Sequence, residues 1–436
     1  MPPSLTGIVD RAGDVVFVGA VAAWVVVLAL ILRHRVFVSH DSMSNYAHVW
    51  YVSDRLRRAH LVPFHMPVVG HGQAYAFPYA FVPWLAAAVL WLVLGEWAVT
   101  VWIVVGFLAL VAARFWAFPE LRRSWWAAAL LVDPILVAAP IIGQLPFLWA
   151  AAFLFAAIGC WRRGRRGTAA ILAALAQATH PAVMLPMVAG VVAIRFWWEP
   201  ARRALVGWYV ASLVPAVPAA VLVFVSPVFR DTPRHDALIA LGDTVGVRVV
   251  VIALPFALLV IRWLITVRPA WLWWVAPFVF LVLLVLNRIV VPALDTAYAW
   301  GALWRTPNTT VLTFVASPQF APGHTYRILR AGDGKVGMYQ LIRHGARLDS
   351  EFFPESIARR SWATPGAYSA FLRHRHVDYV MVFDTYDRKY HTDEHSLLDR
   401  LARGPTGCTR TLVGVRPVRL GPSYNVYAIQ RVCGPR

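Results

Sequence analysis

An imidazole beside a carboxylate, His40-Asp41, follows the first apolar run of the chain and precedes a stretch from Ser42 to His60 without a helix breaker. A carboxylate at the edge of a bilayer can take a proton from a hydroxyl, provided burial keeps its pKa useful without neutralising it. Asp41 is equally well placed to cap the helix that Ser42–His60 would form, and the two roles are compatible. The same loop, about Arg33 to Gln73, carries Arg55, Arg57 and Arg58 with His60. Such a cationic patch can grip a lipid-linked phosphate or diphosphate through forked hydrogen bonds, or meet ordinary anionic headgroups. Tyr46, Val49, Trp50 and Leu56 recur at helical steps, which predicts an amphipathic helix lying on the membrane interface.

A second set of polar groups lies inside apolar runs beside prolines: Asp133-Pro134, Gln144 in Gly143-Gln144-Leu145-Pro146, and His180-Pro181. Ionisable groups at membrane depth face a cavity, a partner or a transport path, or else cap a broken helix. His71, opening the second run with Gly72-Gln73, joins this set as a cavity group. Cys408 and Cys433, near the two ends of the last polar segment, are a disulfide candidate that would place the tail in an oxidising compartment; two unrelated thiols are the alternative. The sequence holds no phosphate-binding glycine loop, no His-Glu-x-x-His and no cysteine pairs with zinc spacing. No metal ligands are assigned, because the fourteen histidines are scattered and would have to assemble in space.

These groups need a scaffold, and composition says which kind. The chain has 436 residues, 59% hydrophobic and 14% charged, where soluble proteins carry about a quarter charged residues. Nine apolar runs are suited to spanning: Val15–Leu32, Tyr75–Leu94, Trp97–Phe115, Trp125–Ile142, Leu145–Trp161, Thr168–Ile194, Leu205–Val225, Val245–Leu264 and Trp271–Val291. The first lacks a small-residue cleavage pattern and reads as a retained signal anchor. Thr168–Ile194 contains the His180-Pro181 break and reads as one span or as two shorter helices. The net charge of +19 sits as short arginine clusters between these runs, which suits anionic lipid and argues against nucleic acid. Nine spans from a cytoplasmic amino terminus leave the tail outside. The same count puts Arg162–Arg166 outside too, against the positive-inside tendency, so charge alone does not settle the orientation.

After Val291 the composition becomes that of a soluble domain. Tyr326–Leu329, Met338–Ile342, Val377–Phe383, Thr411–Val415 and Tyr424–Gln430 read as strands, and Pro365–His374 and Glu394–Arg403 as helices. The expected architecture is an α-helical polytopic membrane protein with a C-terminal soluble α/β domain. Its domains are residues 1–292, with a long first loop 33–73, and residues 293–436.

This layout resembles the GT-C class of integral membrane glycosyltransferases, in particular bacterial multispan proteins with a 6-pyruvoyl-tetrahydropterin-synthase-related membrane domain and their YfhO-like relatives. The resemblance rests on His40-Asp41 in a long loop after one span, Phe77-Pro78-Tyr79 through Pro83, and Gly143-Gln144-Leu145-Pro146. It rests further on Arg162–Arg166 followed by Gln177-Ala178-Thr179-His180-Pro181, and on Phe371-Leu372-Arg373-His374-Arg375-His376-Val377-Asp378-Tyr379-Val380. It implies a GT-C-like fold in the plasma membrane, with an extracytoplasmic tail. The implied reaction moves a sugar from a polyprenyl-phosphate donor to a glycan or glycolipid acceptor of the cell envelope. Asp41, with His40, would be catalytic; Arg55, Arg57, Arg58 and His180 would hold the donor phosphate, aided by Mg or Mn if a divalent metal takes part. A paired acidic motif of many such enzymes is replaced here by the single Asp41. A non-catalytic lipid or glycan transporter, and a scaffold of a cell-wall biosynthetic complex, are the alternatives.

Overall fold

The computed structural model describes residues 3–39, 41–74, 81–122, 124–197, 199–218, 221, 234–267, 275–294, 300–304, 309–329, 338–349, 364–383, 393–403, 409–415 and 424–429. The chain divides into two compact units. Met1–Phe37, Tyr79–Val221 and Ala240–Trp304 form the first; Val38–Pro78, Leu222–Ile239 and Arg305–Arg436 form the second. The loop expected to belong with the spans thus clusters with the C-terminal segment.

In chain order, α1 (Pro3–Leu32) is followed by α2 (Ser42–Ala59), β1 (His65–Met66) and β2 (Gln73–Ala74). Next come α3 (Phe81–Leu94), α4 (Trp97–Ala117), α5 (Ser124–Leu131), α6 (Pro134–Ile142), α7 (Leu145–Arg162), α8 (Arg166–Thr179), α9 (Pro181–Phe196) and α10 (Arg202–Leu213). Then follow α11 (Arg234–Val267), α12 (Val275–Leu294), α13 (Thr309–Val315), β3 (Thr325–Leu329), α14 (Met338–Arg343) and β4 (Arg347–Leu348). The last described elements are α15 (Pro365–His374), β5 (Tyr379–Phe383), α16 (Glu394–Arg403), β6 (Thr409–Val415) and β7 (Tyr424–Ile429).

Among the described residues of the first unit, four helical stretches are long and apolar enough to cross a membrane: Gly7–Leu32, Trp97–Ala117, Ser124–Ile142 and Leu145–Arg162. Val82–Leu94, Pro181–Phe196, Ile252–Val267 and Val275–Ile289 are shorter apolar helices. Proline breaks two of the runs. Pro134 starts α6 after Asp133, and Pro181 starts α9 after His180, each at the first helical position, where a missing N–H costs no bond. Helices α4 and α7 pack through a reciprocal exchange of small and large residues. Trp149 of α7 lies against Gly106 of α4, whose added Cβ would sit 2.8 Å from Trp149 Nε1, and Trp116 of α4 lies against Gly159 of α7. Close approach of this kind supplies the packing energy that the hydrophobic effect does not supply between helices in lipid.

The second unit contains a five-stranded sheet in the order β4-β3-β5-β7-β6. Strand β3 runs parallel to β4 and β5, and β7 is antiparallel to β5 and β6. Helices α15 and α16 bury Tyr368, Leu372, Leu397, Leu398 and Leu401 against Val380, Val382 and Ile429 on one face. Thr364 starts α15 by accepting the Ala367 amide at 3.1 Å, with Pro365 next to it. Residues alternate faces along a strand, so the pairing of Arg327 with Val380 puts Arg327 on the α15/α16 face, whereas Tyr326 and Tyr379 stack 4.9 Å apart on the other.

Two expectations change in this unit. Met338–Ile342 is helical, not a strand, because its apolar residues Met338, Tyr339, Leu341 and Ile342 fall at helical spacing and are all buried. Helix α2 does not present one wet face along its length. Every residue from Ser42 to Val49 is buried, and its partner is α14, with Tyr46 and Tyr339 rings 5.4 Å apart and Gln340 Nε2 3.8 Å from Met43 Sδ.

Candidate functional site

Asp41 occupies the N-cap position of α2, yet its side chain makes no capping bond. The turn is closed instead by Ser42 Oγ, which accepts the Ser39 amide at 2.8 Å and donates to the Ser39 carbonyl at 3.1 Å. The backbone carbonyl of Asp41 accepts from Asn45 Nδ2 at 3.1 Å. Asp41 is half-buried, at the start of a helix whose following eight residues are buried. Asp41 therefore stands at the positive end of the α2 dipole.

At the other end of α2 the arginines are exposed. Arg55 Nε donates to the Tyr51 hydroxyl at 3.4 Å, and Arg58 Nε lies 3.0 Å from Asp54 Oδ1 in an i,i+4 pair. Arg57 is exposed on the same turn. His60 ends the helix in a left-handed conformation, φ 53°.

Sequence reasoning missed the most charged constellation of this unit. The loop joins the sheet beside β4: the Leu348 amide donates to the Val68 carbonyl at 2.7 Å and the Gly70 amide to the Leu348 carbonyl at 2.9 Å. Gly70, His71 and Gly72 all have positive φ, and for His71 that is an uncommon, strained conformation. The turn brings His71 Nε2 to 3.2 Å from Asp349 Oδ1. Asp349 is fully buried and also receives Arg327 Nη1 at 2.9 Å and Arg375 Nε at 2.7 Å. Arg327 Nη2 reaches Glu394 Oε1 at 2.7 Å, and the Tyr368 hydroxyl donates to Glu394 Oε2 at 3.2 Å. Two arginines thus face two carboxylates in the interior. Burial opposes the charge on Asp349, but the His71 hydrogen bond and the Arg327 and Arg375 guanidiniums outweigh it and hold the carboxyl well below its usual range. The partners of Arg327 and Arg375 lie 22 to 67 residues away in the chain, beyond the reach of local sequence pattern.

Asp133, in the membrane-spanning unit, is engaged structurally. Its Oδ1 accepts the Ile135 and Leu136 amides at 3.0 and 3.4 Å, capping α6, while Oδ2 meets Arg114 Nη2 at 3.1 Å, both side chains buried. The proline break frees carbonyls at the end of α5, and three consecutive ones are met from three helices. Arg114 Nη1 of α4 donates to Leu130 O at 3.1 Å, Trp24 Nε1 of α1 to Leu131 O at 2.9 Å, and Asn287 Nδ2 of α12 to Val132 O at 2.5 Å. His180 is buried between α8 and α9, and Gln144 is half-buried at the N-cap of α7 without a side-chain cap.

The predicted residues therefore separate. Asp41, Arg55, Arg57, Arg58 and His71 fall in the second unit, and Asp133, Gln144 and His180 in the first. His71 does not open a span; it sits in the turn between β1 and β2. His40, Cys408 and Cys433 lie outside the described residues. No family model, curated protein or solved structure matches this chain. Among the described residues, no three His, Cys, Asp or Glu side chains converge as a metal-ligand set.

Proposed function

We propose that the chain is a membrane glycosyltransferase of GT-C-like architecture, transferring a sugar from a polyprenyl-phosphate donor to a cell-envelope glycan or lipid acceptor. The observation that carries this reading is the position of Asp41. It is a half-buried carboxylate on a helix N-terminus, shortly after the membrane-crossing helix α1 and within the unit that the first loop shares with the C-terminal segment. In the proposed reaction the acceptor hydroxyl gives its proton to Asp41, and its oxygen bonds the anomeric carbon. The bond from that carbon to the phosphate oxygen breaks, and polyprenyl phosphate departs with the negative charge; Arg55, Arg57 and Arg58, at the far end of α2 and about 20 Å or more along the helix from Asp41, do not reach that phosphate.

The nine-span count and the orientation belong to the same proposal. Three separate stretches make up the second unit, and parts of one folded unit share one side of a membrane. Even numbers of crossings must then separate them. On this proposal α3, α4, α5/α6, α7, α8/α9 and α10 are six crossings between the first two stretches, and α11 and α12 are two before the last. With α1 the total is nine, and a cytoplasmic amino terminus puts the α/β domain on the outer face. The transporter alternative loses one of its cavity groups, since Asp133 is held by Arg114 and by the α6 amides.

Purified protein in lipid vesicles with a labelled sugar on a polyprenyl-phosphate donor tests the reading. Wild type should transfer label to envelope lipid acceptors, and Asp41→Asn should lower the rate about 10²- to 10⁴-fold, the range for loss of a general base, with insertion unchanged. Undiminished transfer by the Asn variant would remove Asp41 from the chemistry.

A further inference from the structure

The segment that follows α2 combines two features rarely left in water together. Leu61 is 68% exposed and Phe64 69% exposed, and they are flanked by Arg57, Arg58, His60 and His65, all exposed. The left-handed turn at His60 ends the helix, so the two apolar side chains stand on an extended stretch before β1. We propose that Arg57–His65 is a seat on the bilayer surface, in which Leu61 and Phe64 enter the boundary between headgroups and acyl chains and Arg57 and Arg58 meet the phosphates of anionic lipids.

Three observations favour lipid over a soluble protein as the occupant. The basic and apolar residues alternate within one short stretch, the pattern that pairs burial of apolar side chains with attraction to anionic headgroups. The neighbouring part of the same helix is buried in its own unit, so the exposure is confined to this end. The unit is also joined covalently to the membrane-spanning unit at five points along the chain. Such tethering holds the patch at high effective concentration near a bilayer, where even a weak contact is occupied. Arg58 keeps its Asp54 partner at 3.0 Å, which leaves Arg57 as the stronger phosphate contact. The inference needs only that the chain crosses a membrane, and it stands whether or not a sugar is transferred.

An environment-sensitive fluorescent amino acid at position 64, and separately at 61, in full-length protein in phosphatidylcholine nanodiscs with or without phosphatidylglycerol reads this directly. Both positions should show blue-shifted emission, quenched by lipids spin-labelled near the headgroup, whereas the exposed position 374 should not. Arg57→Gln should weaken the phosphatidylglycerol-dependent part of the partition roughly fivefold, the equivalent of about 1 kcal/mol per basic residue at an anionic surface. Emission typical of water at both 61 and 64, without lipid quenching, would overturn the proposal and turn attention to a protein partner. Quenching that ignores phosphatidylglycerol and Arg57 would overturn the phosphate contact.

Discussion

His71 and Asp349, 278 residues apart in the chain, share a 3.2 Å hydrogen bond that ties the first loop to the C-terminal segment. The bond is asymmetric in its surroundings, since Asp349 is fully buried and the His71 side chain is 34% exposed. Asp349→Ala would leave the buried Arg375 without its carboxylate partner and Arg327 with Glu394 alone, at a cost of about 3–5 kcal/mol. His71→Ala removes only the outer partner and should cost below about 1 kcal/mol. Chemical denaturation followed by the near-ultraviolet signal of the second unit would show the large loss for one variant and the small loss for the other.

The acid limb of stability follows from the same carboxylate. An aspartate in the unfolded chain titrates near about 3.9, and His71, Arg327 and Arg375 hold Asp349 below that. As pH falls, the unfolded chain takes up the proton first. The stability Asp349 contributes is therefore complete above about pH 5 and is lost as pH drops through the lowered folded value. Unfolding midpoints measured from pH 7 downward should fall steeply below about pH 4 in wild type, and Asp349→Asn, though less stable at neutral pH, should show a shallower acid decline.

Asp133→Ala should act on folding and not selectively on activity. It strands the buried Arg114 and uncaps α6, losses of about 3–5 and about 1 kcal/mol in comparable settings. Asn287→Leu, which unsatisfies only the Val132 carbonyl, should cost about 1–3 kcal/mol. Thermal stability in detergent should rank wild type, Asn287→Leu, Asp133→Ala in descending order.

Helices α4 and α7 offer a packing test. A Cβ at Gly159 collides with the Trp116 ring, which is itself stacked on the Arg163 guanidinium at 4.3 Å, whereas a Cβ at Gly190 meets nothing within 4 Å. Gly159→Ala should destabilise by about 1–3 kcal/mol, Gly190→Ala should be tolerated, and Trp116→Ala should relieve the Gly159→Ala defect in a double-mutant cycle.

Much of the local structure was legible in the residues. The prolines at 134, 181 and 365 mark helix starts, and the alternating Tyr-Val-Met-Val-Phe of β5 marks a strand, because each signal acts within a few residues. Met338–Ile342 misled because so short a stretch, five residues with four apolar ones, fits either period. The candidate site was legible only at Asp41 and the arginines. Its ties to the rest of the unit were not, since α2 is buried by α14 and His71 is held by Asp349 beside β4, both contributed by chain far away in sequence. Polarity along α2 predicted a wet face, and tertiary burial of Ser44, Asn45 and His48 overrode it.

The account depends most on the first loop and the C-terminal segment being parts of one folded body. In protein whose own three cysteines are replaced by alanine, single cysteines in place of the exposed Arg57 and Arg373 would be treated with a membrane-impermeant thiol reagent in oriented vesicles. Both positions should react from the same face, without detergent. Reaction of the two from opposite faces would contradict the account.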